Sequence, residues 1–300
     1  MTQFIMIVGL PASGKSTLAK EISEDINAII LSSDQMRFEL YGDVSVQAHN
    51  GEVFEELKKR LKQSLKNGDS VVYDSCNISH KRRKSLLDEL KSIDCKKECC
   101  VMATPYLDCL RQNKLRDRFV PEYVVKKMYL SFFVPQYYEG WDEIYFEWNY
   151  NRADFFVDEL SKKLNISQNN CHHTLTVLNH CIKCVDNVEE QSSNVELQMA
   201  ALFHDIGKPF TKQFKNFKGE ETEDAHYYNH MNVSAYNSLF YLNSRDYLDC
   251  SILNICNYIQ WHMQPFFMNT EKAKTKFIKL VGQQFYDNLM ILHEADVTAK

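Results

Sequence analysis

The sequence predicts an α/β domain built on a parallel sheet with helices on both faces, followed by an all-α domain. Three observations carry this reading. The apolar run Phe4-Ile5-Met6-Ile7-Val8 leads into Gly9-Leu10-Pro11-Ala12-Ser13-Gly14-Lys15-Ser16-Thr17, and Leu18-Ala19-Lys20-Glu21-Ile22 then opens a helical pattern. Further short apolar runs alternate with amphipathic stretches up to about residue 160, as βα units require. Beyond that, the composition changes. Eight of the ten histidines lie at 172, 173, 180, 204, 226, 230, 262 and 293, and the pattern is helical with no clear strand. The expected units are residues 1–162 and 163–300, with the polar stretch 165–170 as the hinge.

The first element fits G-x-x-x-x-G-K-[ST] in the strand–loop–helix context that the pattern needs. Glycines let the main chain approach a phosphate closely, and amide N–H groups at the helix start point at the anion. Gly9, Pro11, Ala12, Ser13, Gly14, Lys15, Ser16 and Thr17 are the expected cradle for ATP or another nucleoside triphosphate. Lys15 reaches the outer phosphates and Ser16 ligates Mg2+.

Ala28-Ile29-Ile30-Leu31 reads as the second strand, with Asp34 just past its carboxyl end, where ligands sit in open α/β sheets. Arg37 is three residues on and shares a face with Asp34 on a helical start. A carboxylate there can take a proton from an acceptor hydroxyl, and the arginine can bind the acceptor's phosphate. The same pair also occurs as a plain N-cap with a helix ion pair. Residues 52–66 form an amphipathic helix with Phe54, Leu57, Leu61 and Leu65 as its stripe, stopped by Asn67-Gly68. Ser70-Val71-Val72-Tyr73-Asp74 is a third strand, and Asp74 is placed to orient Mg2+ or the acceptor.

His80-Lys81-Arg82-Arg83-Lys84 opens a helix and reads either as a polyanion contact or as a solvated face. Residues 99–103 give a fourth strand and Ile144-Tyr145-Phe146 a last one. Between them, residues 110–118 read as a helix carrying Arg111, Lys114, Arg116 and Arg118. Arg116 and Arg118 are lid candidates, since arginines that close over a phosphoryl group neutralise charge growing in the transition state.

In the second half, residues 172–180 read as a helix with His173 and His180 on one face. The apolar Met199-Ala200-Ala201-Leu202-Phe203 ends in His204-Asp205, and Gly207 and Pro209 stop it. A buried imidazole and carboxylate need partners. A metal supplies them, and His230, His262 and Asp296 can complete the set from other helices, with Mn2+ or another divalent transition metal favoured.

A formal net charge of −5 excludes a globally basic nucleic-acid binder and leaves room for an end-directed footprint. Ten scattered cysteines with no leader pattern read as intracellular and reduced, and no apolar run is long enough to span a membrane. Cys181 and Cys184 form a lone C-x-x-C, read as packing rather than a zinc site.

Residues 1 to about 160 resemble the kinase module of polynucleotide kinases and related small P-loop kinases. The matching pieces are residues 9–17, Ser33-Asp34-x-x-Arg37, Asp74-x-x-Asn77 and Arg116-x-Arg118-Phe119-Val120-Pro121. The resemblance implies that Asp34 is the general base on a 5′-hydroxyl, that Arg37 contacts the acceptor end and that the lid arginines contact ATP. His204-Asp205-Ile206-Gly207-Lys208 resembles the H-D-x-G-K core of HD-domain phosphohydrolases, and residues 171–208 are most similar to the HD part of bacterial CCA-adding enzymes. That resemblance implies His173, His204, Asp205, His230, His262 and Asp296 as metal ligands, Asp205 bridging, and Lys208 on a substrate phosphate. His172 and His226 are the rivals of His173 and His230. More helix is expected after Asp296, four residues from the last residue given.

Together the two resemblances imply nucleic-acid end healing, with RNA favoured: 5′-phosphorylation plus removal of a 3′-phosphate or opening of a 2′,3′-cyclic phosphate. The order matches the phage kinase-phosphatases, but no D-x-D-G-T motif is present. The HD phosphatase matches bacterial end-healing enzymes, which have the opposite order. No K-x-D-G motif is present, so sealing needs a separate ligase. Two other readings stay open: a nucleoside or sugar kinase fused to a nucleotide phosphohydrolase, and an ATP-gated RNA-binding module with an inactive HD site.

Overall fold

The computed structural model describes residues 1–116, 118–155, 157–170 and 174–300. Met1–Met128 and Pro135–Tyr150 form one compact unit, and Tyr129–Val134 and Asn151–Lys300 form another. Residues 151–162, expected in the first unit, therefore group with the second.

The first unit holds a wholly parallel five-stranded sheet in the order β2-β3-β1-β4-β5. Its strands are β1 (Gln3–Val8), β2 (Ile29–Ser32), β3 (Val71–Asp74), β4 (Lys96–Ala103) and β5 (Glu143–Trp148). β1 is central and buried on both faces, which is why it reads as an unbroken apolar run. Its Ile5 and Ile7 meet Val72, Cys100, Met102 and Ala19 of α1 (Lys15–Ile26). On the other face Phe4 stacks on Trp141 and meets Tyr73 edge-on, at ring-centroid distances of 6.3 and 6.2 Å.

α2 (Ser33–Tyr41) is capped by Ser32, whose Oγ accepts from the Asp34 N–H. α3 (Asn50–Asn67) buries Val53, Leu57, Leu61 and Leu65. Steps of four from Leu57 fall on Val53, so Phe54, expected in the stripe, is only half-buried.

α4 (His80–Glu89) corrects the reading of the basic run at Arg83, while Lys81 and Arg82 stay exposed. Arg83 is 1% exposed. Its Nε and Nη2 each donate to Glu139 at 2.7 Å, and Nη1 donates to the Asn77 carbonyl at 2.9 Å. Trp141 Nε1 donates to the same carboxylate at 3.1 Å. A guanidinium paired on every side cannot meet a polyanion. It ties α4 to Glu139 and clamps the turn at Asn77.

α5 (Tyr106–Asn113) also ends sooner than expected. The Asn113 side chain turns back on the chain: Nδ2 donates to the Val120 carbonyl at 2.6 Å and Oδ1 accepts from the Val120 N–H at 3.0 Å. This closes the following segment into a loop, so Lys114, Arg116 and Arg118 are not helical neighbours. α6 (Glu122–Leu130) follows Pro121.

The second unit comprises α7 (Val157–Leu164), α8 (Val177–Glu189), α9 (Val195–Phe203), α10 (Lys208–Thr211), α11 (His230–Asn243), α12 (Asp249–Trp261), α13 (Glu271–Val281) and α14 (Gln283–Thr298). A hairpin of β6 (Gln213–Lys215) and β7 (Glu221–His226) interrupts it and corrects the all-helical expectation. Its strands are too polar to show an alternating pattern. α8 begins at Val177, later than the expected helix, because Thr176 Oγ1 accepts from the Asn179 N–H and caps it there. α11 is buried almost all round, as a central helix must be. Among the described residues no helix is long and apolar enough to cross a membrane.

Candidate active sites

The first site lies where the carboxyl ends of three neighbouring strands meet. Asp74 pairs in register with Ile7 on one side and Ser32 on the other. The loop after β1 turns with Ala12 at φ 61° and Gly14 at φ 103°, left-handed conformations that favour glycine. A Cβ on Gly14 would also come within 3.0 Å of the Met102 side chain. Lys15 Nζ donates to the Leu10 carbonyl at 2.6 Å, folding the ammonium over the loop. Ser16 Oγ donates to Asp74 Oδ2 at 2.9 Å, so the hydroxyl and carboxylate suited to a shared Mg2+ are side by side. Ser13 is fully buried and its Oγ has no hydrogen-bond partner among the described residues. An orphaned donor at a helix start fits a phosphate oxygen.

Asp34 sits at the same edge, half-exposed. Oδ1 accepts from Arg37 Nη1 at 2.9 Å, and Oδ2 accepts from Arg118 Nη1. Buried Arg37 is fixed further by donating to the Ser33 carbonyl at 3.1 Å and to Asn50 Oδ1 at 2.7 Å. The structure brings Arg118 to Asp34 and leaves Arg116 exposed on the same loop. Asn77 Nδ2 donates to the Ile7 carbonyl at 2.8 Å and braces the end of β1.

The second site is a buried cluster in the helical unit. Asp205 follows α9 and faces two pairs of imidazoles. Its Oδ2 lies 3.3 Å from both His180 Nε2 and His204 Nε2, and its Oδ1 lies 3.3 Å from His230 Nε2 and 4.0 Å from His262 Nε2. Asp296 Oδ1 adds to the first pair, 3.0 Å from His180 and 3.4 Å from His204. The two Nε2 atoms are 3.2 Å apart in the first pair and 3.1 Å apart in the second.

Each ring is oriented from behind. The Nδ1 atoms of His180, His204, His230 and His262 each lie 2.7 Å from a main-chain carbonyl, of Ala299, Ala201, Tyr227 and Ile259 respectively. A carbonyl only accepts, so Nδ1 carries the proton and a neutral ring keeps its Nε2 lone pair for the centre. Nε2 atoms facing each other at this distance call for a proton or a metal ion between them.

Burial works against every charge here. At His180 and His204 the two carboxylates outweigh it and lift both imidazoles above their ordinary value, His204 well above. In return Asp205 and Asp296 lie well below the usual carboxylate range despite their burial. Burial, then His230 and His204, push His262 down to about 3, so it stays neutral and able to ligate. Neither Asp205 oxygen makes a hydrogen bond of proper geometry among the described residues. Buried Asp205 with two pairs of aimed imidazoles, and Asp296 beside the first pair, would fit one or two divalent ions.

Comparison with known families agrees with both geometries. Residues 4–135 match the AAA domain family and residues 171–300 match the HD domain family. The chain joins a P-loop kinase-type domain to an HD domain. An L-seryl-tRNA(Sec) kinase of Methanococcus maripaludis is 29% identical over 143 residues, covering 46% of this chain. The chain spans about half, 55%, of that relative's length. Among solved structures, a chain of the Pnkp1/Rnl/Hen1 RNA repair complex is 22% identical, with 42% of each chain covered and a TM-score of 0.37. A gluconokinase from Sinorhizobium meliloti 1021 is 14% identical, with 48% of this chain and 81% of that chain covered and a TM-score of 0.36.

The HD domain brings His204, Asp205, His230, His262 and Asp296 together. His173 and its rival His172 lie outside the described residues. The imidazole that reaches the centre from α8 is His180. His226 is on β7 and stacks on Tyr228 instead. Replacing His180 with alanine should weaken Mn2+ binding by more than the about 10–100-fold lost when a partner behind a ligand is removed, as read by metal titration of the purified chain. Lys208 is not open toward a substrate phosphate. It is buried, with Nζ 2.6 Å from Asp205 Oδ2 and donating to Gln168 Oε1 at 2.7 Å. Cys181 and Cys184 are buried on α8, and burial pushes both thiols up to about 12.

Gly207 sets how closely the turn after Asp205 approaches α11. A Cβ there would lie 2.4 Å from the His230 carbonyl and 2.7 Å from the Ser234 nitrogen, while the Gly207 N–H donates to Ser234 Oγ at 2.8 Å. Gly207→Ala must push main chain against main chain. We expect a loss of about 3 kcal/mol, the upper range for overpacking, as a lower urea midpoint with unchanged slope.

Proposed function

We propose that the chain is a bifunctional nucleic-acid end-healing enzyme acting on RNA in preference to DNA. The P-loop domain phosphorylates a 5′-hydroxyl with ATP and Mg2+. The HD domain removes a 3′-phosphate or opens a 2′,3′-cyclic phosphate. The observation that carries this is the pairing, on one chain, of an arginine-held carboxylate at the same sheet edge as a phosphate loop with a buried centre suited to divalent metal. The similarity to a kinase named for an aminoacyl-tRNA supports an RNA-borne hydroxyl as acceptor. The net charge of −5 suits recognition confined to ends.

In this reading Lys15 and the N–H groups of the loop hold the donor phosphates. Asp34 takes the proton of the attacking hydroxyl, Arg37 orients it, and Arg118, with Arg116 on the same loop, offsets charge as the phosphoryl group passes. In the HD domain His180, His204, His230, His262, Asp205 and Asp296 would hold the metal, which supplies Lewis acidity toward the phosphoester and acidifies water. Lys208 keeps Asp205 charged and in place. The chain would hand 5′-phosphate, 3′-hydroxyl ends to a separate ligase.

The test is labelled ATP with either a 5′-hydroxyl RNA oligonucleotide or free nucleosides, and RNA ending in 3′-phosphate or 2′,3′-cyclic phosphate with and without Mn2+. Label in the oligonucleotide and Mn2+-dependent end removal are expected. Label only in nucleosides overturns the reading.

A further inference from the structure

We infer that the second unit carries a binding site, separate from the metal centre, for a single-chain amphiphile with a carboxylate head. A cavity of about 350 Å³ opens among α7, α8, α9 and the end of α11, a size that suits a small molecule. Its floor is apolar. Leu160 and Leu164 stand one turn apart on α7, and Cys181, Phe203 and Leu242 meet them from the other three helices, all five buried. Among the described residues, none of the metal-ligating set lines this cavity.

The polar groups of the lining are few, and one is an uncommitted cation. Arg245 is exposed at the rim, and its guanidinium makes no ion pair or hydrogen bond among the described residues. The neighbouring carboxylates hold cations of their own: Asp246 pairs with Arg152 at 2.7 Å and Glu159 with Lys162 at 2.6 Å. Tyr241 and Tyr247 also line the cavity, and neither hydroxyl has a hydrogen-bond partner among the described residues. Tyr241 is itself buried, where a hydroxyl needs a partner.

This division selects the occupant. A nucleobase or a peptide brings several donors and acceptors, which a floor of three leucines, a phenylalanine and a thiol would leave unpaired. An alkyl chain asks for no hydrogen bond there and gains by leaving water. One free guanidinium matches one carboxylate, which it can hold through two parallel N–H···O bonds, with a tyrosine hydroxyl free to donate as well.

The experiment is isothermal titration calorimetry of the full chain with decanoate, octanoate and decanol. Decanoate should bind saturably at a single site. Octanoate, shorter by two methylenes, should bind about 4–15-fold more weakly, as the loss of one or two buried methylenes requires. Arg245→Gln changes an exposed residue, so the fold should hold. It should weaken decanoate by about 10–100-fold, the range for hydrogen bonds to a charged group, and leave decanol unchanged. Met199→Trp, which fills the cavity from α9, should abolish decanoate binding. The proposal is overturned if decanoate shows no saturable binding, if Arg245→Gln binds it as the parent does, or if decanol binds the parent as tightly as decanoate. Full decanoate binding by Met199→Trp would place the site elsewhere and overturn it too. These outcomes do not depend on whether the chain heals nucleic-acid ends.

Discussion

Asp205→Asn is expected to lower metal-dependent phosphohydrolysis by on the order of a thousandfold, because several kcal/mol of transition-state charge stabilisation depend on the bound ion. Asparagine fills the same space, so the loss is not one of packing. It offers one oxygen where aspartate has two, and its N–H group turns toward imidazole lone pairs 3.3 Å away. It also leaves buried Lys208 without its ionic partner. A readout independent of turnover is thermal denaturation. With Mn2+ at 100 to 1,000 times its dissociation constant the parent should gain about 3–4 kcal/mol, and Asp205→Asn should gain almost none. Full Mn2+-dependent stabilisation of the variant would show that the ion sits elsewhere.

Asp34→Ala is expected to reduce kinase activity by about 10²–10⁴-fold, the range for a positioned general base. The KM for ATP should hold, since among the described residues the phosphate loop makes no hydrogen bond to Asp34. The HD activity should hold too, because its ligands come from the other compact unit. Kinase activity within tenfold of the parent would remove Asp34 from the chemistry, and loss of both activities would argue against two independent sites. The variant also releases Arg37 and Arg118 from their shared carboxylate, so Asp34→Asn is the matched control.

The strand–loop–helix entry, the strand-end acids and the H-D-x-G-K turn were legible because each is local and carries its own geometry. The sequence pattern already places His180 on one face with His173, but the resemblance names His173 as the ligand and leaves His180 out of the set. With Thr176 as the cap, Val177, His180, Cys181, Cys184 and Val188 fall on one buried stripe, and that register alone points His180 inward. Arg83 was misread because nothing near it in sequence announces Glu139, its partner 56 residues away. The hairpin escaped because both strands are solvated and mostly polar, leaving only Asn216 and Gly219 as a turn signal. Arg116 and Arg118 separated because the loop is set by the Asn113 side chain, not by helical spacing.

The imidazoles of the HD centre take their orientation from main-chain carbonyls. No codon change deletes a carbonyl. Mutation can therefore silence the centre by striking a ligand or by displacing a whole helix, but it has little means of detuning it by degrees. The graded adjustments open to evolution run through Lys208 and Gln168, the side chains that touch Asp205 directly or at one remove. A saturation screen of this domain should return a sharply divided map, with near-dead positions beside tolerant neighbours and few intermediate phenotypes.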